Sequence, residues 1–459
     1  MHLWLLTEEY PRLDTIIEIL KKYSELKEYC KPQEINPIKI KPIKNEGKFA
    51  SQYRFTGLSV HEIDKINIIV VSGKSSFVDY LLFECEERPN HVSIPFMVIE
   101  ETKTDAKEGR NVAAYQRGTK FAYIDSFYDS PDIHKYMIYT HQTNDIERNK
   151  SINFGMRMKI FNGIKIIGKR LPEGCNLPWR SLQQFIADKN DFARDLGGAN
   201  VPLKLYERDG KIYASARLVK RTNGRLRLGH DPNIGYILLV AMTLKRLEYD
   251  DELIITNHGL SQEMVNSPNK FTMLASKYDI KLEGLNIPQQ QFPDIYWKTE
   301  TRSEKCASIF LNLAIEYSEE NRVIYSNHAG CERGYFYDQD DYYHAVRKYI
   351  GGNQVNGVIR LPDLICQNLA QQIILNLEGK KSTNKAEGLR QLNDLHGIEG
   401  EYIRLHYPDY AIQRGLVLYG GARDYTDDKI LFQLQQDGTV LVSESAPEFL
   451  KQAVRRFIA

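Results

Sequence analysis

Apolar and polar positions follow two different periods along the chain. Residues Thr15–Tyr29 (TIIEILKKYSELKEY) carry apolar side chains at helical spacing, with Lys and Glu on the other face, which predicts an amphipathic helix. The stretch from Lys31 to Lys48, rich in Lys and Pro, reads as an extended connector. Short apolar runs at Ile66–Val71, Phe77–Glu84 and Ile94–Lys103 predict strands, Arg110–Phe121 a helix, and Lys135–Thr140 a further strand. In the middle, residues 203–227 alternate like hairpin arms, with Asp209-Gly210 and Asn223-Gly224 as turn dipeptides. Helices are expected at Ile234–Leu247, Ser267–Tyr278 and Ser303–Tyr317. Beyond the tyrosine-rich run Tyr335–Tyr343, a second α/β pattern begins. It has strands near Val358–Cys366 and Gln371–Lys380, a helix from Asn384 to Leu395, and a strand at Gln413–Leu418. No short-period repeat or low-complexity tract is present. The first and last thirds nevertheless share one order: strand, strand ending in acid-x-Lys, helix, strand.

Composition narrows the classes without naming a function. The 459 residues suit two to four structural units at roughly 100–200 residues each. With 61 Lys+Arg against 60 Asp+Glu, the formal charge of +1 excludes a histone-like, tail-driven polyanion binder, but not a local basic patch. Tyrosine is abundant, at 28 residues against 18 Phe, and suits polar interfaces as well as cores. The N-terminal segment has acids where a signal peptide needs bases. The longest apolar run, near Ile237–Met242, is far below the ~18–20 residues of a membrane span. Six single cysteines without CxxC spacing read as reduced and structural rather than as a zinc site. No Walker A loop or GxGxxG occurs in a strand–helix context, so no nucleotide cofactor is expected. Together these predict a soluble, cytoplasmic protein with no membrane partner.

Two acid-x-lysine sites carry the candidate chemistry. In the last third, Pro362-Asp363 ends one strand-like run, and Glu378-Gly379-Lys380 ends the next, 15 residues after Asp363. Alternation along a strand puts Glu378 and Lys380 on one face, and a hairpin would bring Asp363 to the same edge. Two carboxylates can hold Mg²⁺ through oxygen, while an ammonium positions a water and offsets charge on a pentavalent phosphate. In the first third, Asp79 lies in SFVDYLLF and Glu101-Thr102-Lys103 closes PFMVIEETK. Glu101 and Lys103 share one face, with Glu100 a spare carboxylate on the other. Context raises these two sites above other acid-x-Lys triplets such as Glu25–Lys27 and Glu46–Lys48.

At these residues the chain resembles the PD-(D/E)xK nuclease superfamily, in particular type II restriction endonucleases. The match is literal at Pro362, Asp363, Glu378 and Lys380, whereas Val78 replaces the proline before Asp79. The resemblance implies an α/β (α+β) protein with restriction-endonuclease-like cores, mixed central sheets flanked by helices, at both ends of the chain. It divides the chain into a nuclease-like domain over 1–150, a DNA-recognition and connecting region over 151–345, and a second nuclease-like domain over 346–459. It further implies Mg²⁺-dependent cleavage of double-stranded DNA. Asp79, Glu101 and Lys103 would serve one strand and Asp363, Glu378 and Lys380 the other, with Asp79, Glu101, Asp363 and Glu378 as metal ligands. Such enzymes work beside a cognate DNA methyltransferase. A single-site homodimer, a structure-specific repair nuclease and a non-catalytic DNA-binding subunit stand as alternatives.

DNA reading is expected in the middle. Between Val201 and His230 eight basic residues face two acids, a local charge of +6. Arg217, Lys220, Arg221, Arg225 and Arg227 flank the Asn223-Gly224 turn, and a β-ribbon fits a major groove. Asn257-His258 and Asn327-His328 lack a second histidine at useful spacing and read as local polar or loop contacts, and Cys331 beside His328 falls short of a zinc set. The Tyr335–Tyr343 cluster is expected to pack at a domain border.

Overall fold

The computed structural model describes residues 1–8, 11–43, 52–71, 78–102, 115, 117–143, 150–192, 204–229, 231–267, 269–289, 303–327, 333–347, 359–423 and 427–459. The chain begins with β1 (His2–Thr7), α1 (Leu13–Leu26), β2 (Gln33–Pro42), β3 (Gln52–Ser59) and β4 (Lys65–Val70). Next come β5 (Tyr80–Glu84), β6 (Met97–Thr102), α2 (Gly118–Tyr128), β7 (His134–Thr143), α3 (Lys150–Phe161), β8 (Ile164–Lys169) and α4 (Leu182–Phe192). The middle holds β9 (Lys204–Arg208), β10 (Lys211–Ser215), β11 (Val219–Thr222), β12 (Arg225–Leu228), α5 (Asp231–Arg246), β13 (Leu253–Thr256), α6 (Gln262–Asn266), α7 (Lys270–Lys277) and β14 (Ile280–Leu282). After these come α8 (Ser303–Glu316), β15 (Asn321–Ser326), β16 (Arg333–Tyr337), β17 (Tyr343–Arg347), β18 (Leu364–Asn368) and β19 (Ile373–Lys381). The chain closes with α9 (Lys385–Leu392), helical turns over 396–406, β20 (Ala411–Tyr419), β21 (Ile430–Leu434), β22 (Val440–Val442) and α10 (Glu448–Ile458).

The protein is mixed α/β, with multi-strand mixed sheets flanked by helices, as its patterning predicts. It divides into two compact units: Met1–Gly73 with Glu84–Arg88 and Trp297–Ala459, and Lys74–Phe83 with Pro89–Tyr296. The division at 150 and 345 expected from the sequence does not follow these units. Side-chain bonds show why the first strands belong with the distant C-terminal half. Lys41 pairs with Glu316, Lys39 Nζ lies 2.8 Å from Asp341, and the Leu13 amide donates to the Tyr335 hydroxyl at 2.6 Å. The Tyr335–Tyr343 cluster thus ties parts of one unit together, with the Tyr343 hydroxyl donating to Asp14 at 3.2 Å.

In that unit the larger sheet runs β17-β16-β15-β18-β19-β20-β21-β22. Alternation gives it two apolar faces. Leu375, Leu377, Val417 and Phe432 pack with Phe310 of α8 and Phe449 of α10, while Ile374, Leu416 and Leu418 are covered by Leu392, Ile398 and Tyr407. The same unit holds the order β2-β3-β4-β1. Here the predicted connector instead contains β2 over Gln33–Pro42, with Ile40 opposite Phe55 in an antiparallel pairing and Ile38 and Ile40 buried; residues 44–48 of it lie outside the described residues. Proline is tolerated because this strand lies at the end of that order, beside an irregular register. Gly57, at φ 92°, receives the Pro37 carbonyl where any Cβ would collide.

The second unit holds β5-β6-β7-β8, with β5 antiparallel to β6 and the next two pairings parallel. It also holds the sheet β14-β13-β10-β9 and the separate ribbon β11–β12. Both predicted turn dipeptides adopt paired positive φ, 52° and 74° at Asp209-Gly210 and 50° and 76° at Asn223-Gly224, as two-residue hairpins of right-twisted strands require. The helix expected over Ser267–Tyr278 starts only at Lys270. Asn269 caps it by accepting the Thr272 amide at 2.9 Å.

Candidate active site

The second acid cluster forms at the end of the β18–β19 hairpin. Leu364 pairs with Leu377, so the residue before β18, Asp363, falls against Glu378. The Asp363 amide donates to the Leu377 carbonyl at 3.0 Å, and the Gly379 amide donates to Asp363 Oδ2 at 2.7 Å. Lys380 Nζ lies 2.8 Å from Glu378 Oε1, on the same strand face, and Arg360 reaches that oxygen at 3.1 Å. Lys305 of α8 pairs with Asp363 Oδ1. The helix α9 sits close over the lysine because Gly388 has no Cβ: one would lie 2.9 Å from the Lys380 side chain. The structure brings Asp363, Glu378 and Lys380, expected from the sequence, into one cluster and adds Lys305 and Arg360, which were not expected there.

Electrostatics give this cluster its character. Burial, followed by the repulsion of Asp363, pushes the Glu378 carboxyl above its usual range, with Lys380 and Arg360 pulling the other way. Burial draws Lys380 down, but the Glu378 and Asp363 carboxylates outweigh it and hold the ammonium above its ordinary value. Glu378 Oε2 is buried and has no hydrogen-bond partner among the described residues. An unpaired buried carboxylate oxygen beside a second carboxylate fits a hard divalent cation, which would satisfy that oxygen and relieve the repulsion.

The first acid cluster repeats this hairpin with one correction. Tyr80 pairs with Ile99, so the register sets Asp79 against Glu100, not Glu101. The Asp79 amide donates to Glu100 Oε2 at 3.2 Å, and the Glu101 amide donates to Asp79 Oδ2 at 2.8 Å. The second of these bonds matches the Gly379–Asp363 bond, and with the strand register it makes Glu100 the counterpart of Glu378, Glu101 of Gly379 and Thr102 of Lys380. The Glu101 carboxylate turns to the other face and accepts the Tyr80 hydroxyl at 3.0 Å. Lys103 lies outside the described residues. The ammonium between the acids here comes from α2: Lys120 Nζ is 2.9 Å from both Asp79 and Glu100, and Arg117 also pairs with Glu100.

Glu100 is fully buried, and burial followed by the Asp79 charge pushes it up to about 8, against the opposing pull of Lys120 and Arg117. Lys159, equally buried, donates to the Met137 sulfur at 2.9 Å, and burial draws it down to about 7. A carboxyl raised on folding keeps a proton that the unfolded chain releases from 4.5 upward. Its contribution to stability is therefore full below pH 4.5 and is lost as pH rises toward about 8. Glu100→Gln removes that titration. In metal-free urea unfolding the variant is expected to gain on the parent between roughly pH 5 and pH 8, by on the order of a kcal/mol per pH unit.

The basic ribbon is as the turn dipeptide predicts. Lys220 pairs with Arg227 and Thr222 with Arg225, so Lys220, Arg225 and Arg227 share one face while Arg221 and Leu226 share the other. Lys220, Arg221, Arg225 and Arg227 are exposed, and Arg217, half-buried, precedes the ribbon. None of the five makes an ion pair with a described residue. His258 is held locally, Nε2 by the Glu283 carbonyl at 3.0 Å and Nδ1 by the Leu260 amide at 3.0 Å, the local polar contacts expected of it. His328 and Cys331 lie outside the described residues. A further set of ligand-type side chains, Asp338, His344 and His406, was not foreseen; their ligand atoms lie within 4.8 Å of one another. Comparison of the chain with protein-family models, with curated proteins and with solved structures finds no match.

Proposed function

We propose that the protein is a sequence-specific endonuclease of the type II restriction class, hydrolysing phosphodiester bonds of double-stranded DNA with Mg²⁺, one acid cluster serving each strand. The reading includes restriction-endonuclease-like cores, a cytoplasmic location and a cognate DNA methyltransferase acting on the same sequence. The observation that carries it is the Asp363–Glu378–Lys380 hairpin, where a buried carboxylate oxygen has no hydrogen-bond partner among the described residues, beside a second carboxylate and a lysine. No helix among the described residues is long and apolar enough to cross a membrane.

Asp363 and Glu378 would hold the cation, as would Asp79 and Glu100 in the other cluster. When bound, Mg²⁺ supplies Lewis acidity toward a phosphoryl oxygen and lowers the pKa of a coordinated water. Lys380, kept protonated by its acidic neighbours, donates hydrogen bonds rather than accepting a proton, so it orients the water and offsets charge on the phosphate. Arg360, whose Nε is buried without a partner among the described residues, adds a second cation on the Glu378 side.

Digestion of supercoiled plasmid with Mg²⁺, followed by sequencing of both strands at the ends, tests the reading. Discrete ends at one sequence are expected; protein that leaves the plasmid intact over a wide range of substrates and metals would refute it. The ribbon provides a separate check. Changing Lys220, Arg225 and Arg227 together to alanine is expected to weaken DNA binding and flatten its salt dependence, by about 0.9 in log–log slope for each phosphate no longer neutralised. Fluorescence anisotropy over a salt series measures this.

One observation favours a second reading, in which only the Asp363 cluster cuts and the protein acts as a dimer. In the first cluster both Glu100 oxygens and both Asp79 oxygens already have partners in Lys120, Arg117 or backbone amides. A cation would have to displace Lys120 there, whereas Glu378 offers an oxygen with no partner among the described residues.

A further inference from the structure

Asp338 follows β16, His344 lies in β17, and His406 ends the helical turns over 396–406, so three separate backbone segments of one unit deliver one group of ligand atoms. The carboxylate is fixed in advance. Asp338 Oδ1 accepts the Asp340 and Tyr342 amides, each at 3.0 Å, which leaves Oδ2 facing His344 Nε2 at 2.8 Å. The backbone at His406 is fixed as well, its carbonyl accepting the Gln339 side-chain amide at 2.8 Å. The two imidazoles face each other with ring centroids 4.3 Å apart.

A simple Asp–His hydrogen bond would account for Asp338 and His344. It does not account for the second imidazole, whose ring nitrogens have no hydrogen-bond partner among the described residues, although one of them lies within 4.8 Å of both the other groups. Two imidazole nitrogens and a carboxylate oxygen form a donor set suited to borderline ions of the first transition row. It is a poor set for Mg²⁺, which seeks oxygen. The Asp340 and Tyr342 amides hold the carboxylate as outer hydrogen bonds hold ligands in built metal sites. The His344 side chain is 37% exposed, which leaves room for water as a fourth ligand.

We propose that Asp338, His344 and His406 bind a zinc-type divalent ion that clips the β16–β17 hairpin to the helical turns over 396–406. This site is separate from the two acid clusters and does not depend on nuclease activity. The same segments are joined beside it by the Tyr407 hydroxyl, which donates to the Tyr337 carbonyl at 2.8 Å.

The test is titration of Co²⁺ into the metal-free full-length protein in excess Mg²⁺, which occupies all-oxygen sites. One Co²⁺ per chain is expected, with visible d–d absorption of a four- or five-coordinate nitrogen–oxygen site, abolished by added Zn²⁺. His344→Gln and His406→Gln should each weaken binding by about tenfold or more. Asp363→Asn and His258→Gln should bind as the parent does. Melting of the metal-free variants, unchanged from the metal-free parent, separates loss of a ligand from loss of the fold. The proposal is overturned if the parent shows no such absorption, if both histidine variants keep it, or if Asp363→Asn removes it.

Discussion

With Lys380 changed to alanine, supercoiled plasmid is expected to accumulate as nicked circles, one strand being cut normally and the other at least about 10²–10³-fold more slowly. The size of the effect follows from what the ammonium does. It sits 2.8 Å from Glu378 on the same strand face, beside the acids that would hold the cation to which a phosphate binds. Lys305 pairs with Asp363, and Arg360 shares the Glu378 oxygen that Lys380 contacts. Removing the ammonium also takes away one of the charges opposing the upward shift of Glu378, so cation binding should weaken and higher Mg²⁺ should recover part of the loss. Strand-resolved sequencing of the nicks identifies the silent strand. If Lys380→Ala stops cleavage of both strands, the two-site reading fails and the dimeric single-site reading replaces it.

Glu100→Gln and Glu101→Gln should then differ sharply, although the residues are adjacent. The first is expected to slow cleavage of the remaining strand by about 10²-fold or more, and the second to leave it within a few-fold of the parent. Glu100 shares the buried pocket with Asp79 and Lys120, while Glu101 turns to Tyr80 on the opposite face. Glutamine keeps the size of Glu100 and removes the charge a cation needs. Strand-specific rates under single-turnover conditions decide the matter. Equal loss in both variants would mean that the hairpin register does not govern which acid is used; no loss in either would assign cutting to the Asp363 cluster alone.

Much of the architecture was legible because it rests on short-range causes. The amphipathic period of α1, the paired turn residues at Asn223-Gly224 and the apolar run of β19 each express a local preference that the fold keeps. The strand β2 was not legible, because its prolines and lysines suit a connector equally well. Only pairing with β3 and the space left at Gly57 make it a strand. The helix expected over Ser267–Tyr278 was misplaced at its start for a local reason: Asn269 offers a better cap than Ser267, with Pro268 between them.

For the candidate sites the boundary is sharper. Alternation along one strand suffices to place Glu378 and Lys380 together, and a hairpin suffices to add Asp363. In the first cluster the same letters allow two choices, because Glu100 and Glu101 are consecutive acids on opposite faces. A shift of one residue in register exchanges them, and nothing in the local pattern fixes that register. The pairing of Tyr80 with Ile99 settles it, and a helix later in the chain brings Lys120 to the acids. Asp338, His344 and His406 lie further beyond a linear reading, since a ligand set drawn from a hairpin and a distant helical turn has no spacing to detect. Residue types and local periods thus specified the elements and the kind of chemistry available, including a ribbon of +6 surroundings within a chain of net charge +1. Which charged groups meet, and which oxygen has no partner among the described residues, was decided by strand register and by the packing of helices against the strand ends, because electrostatics depends on distance in space.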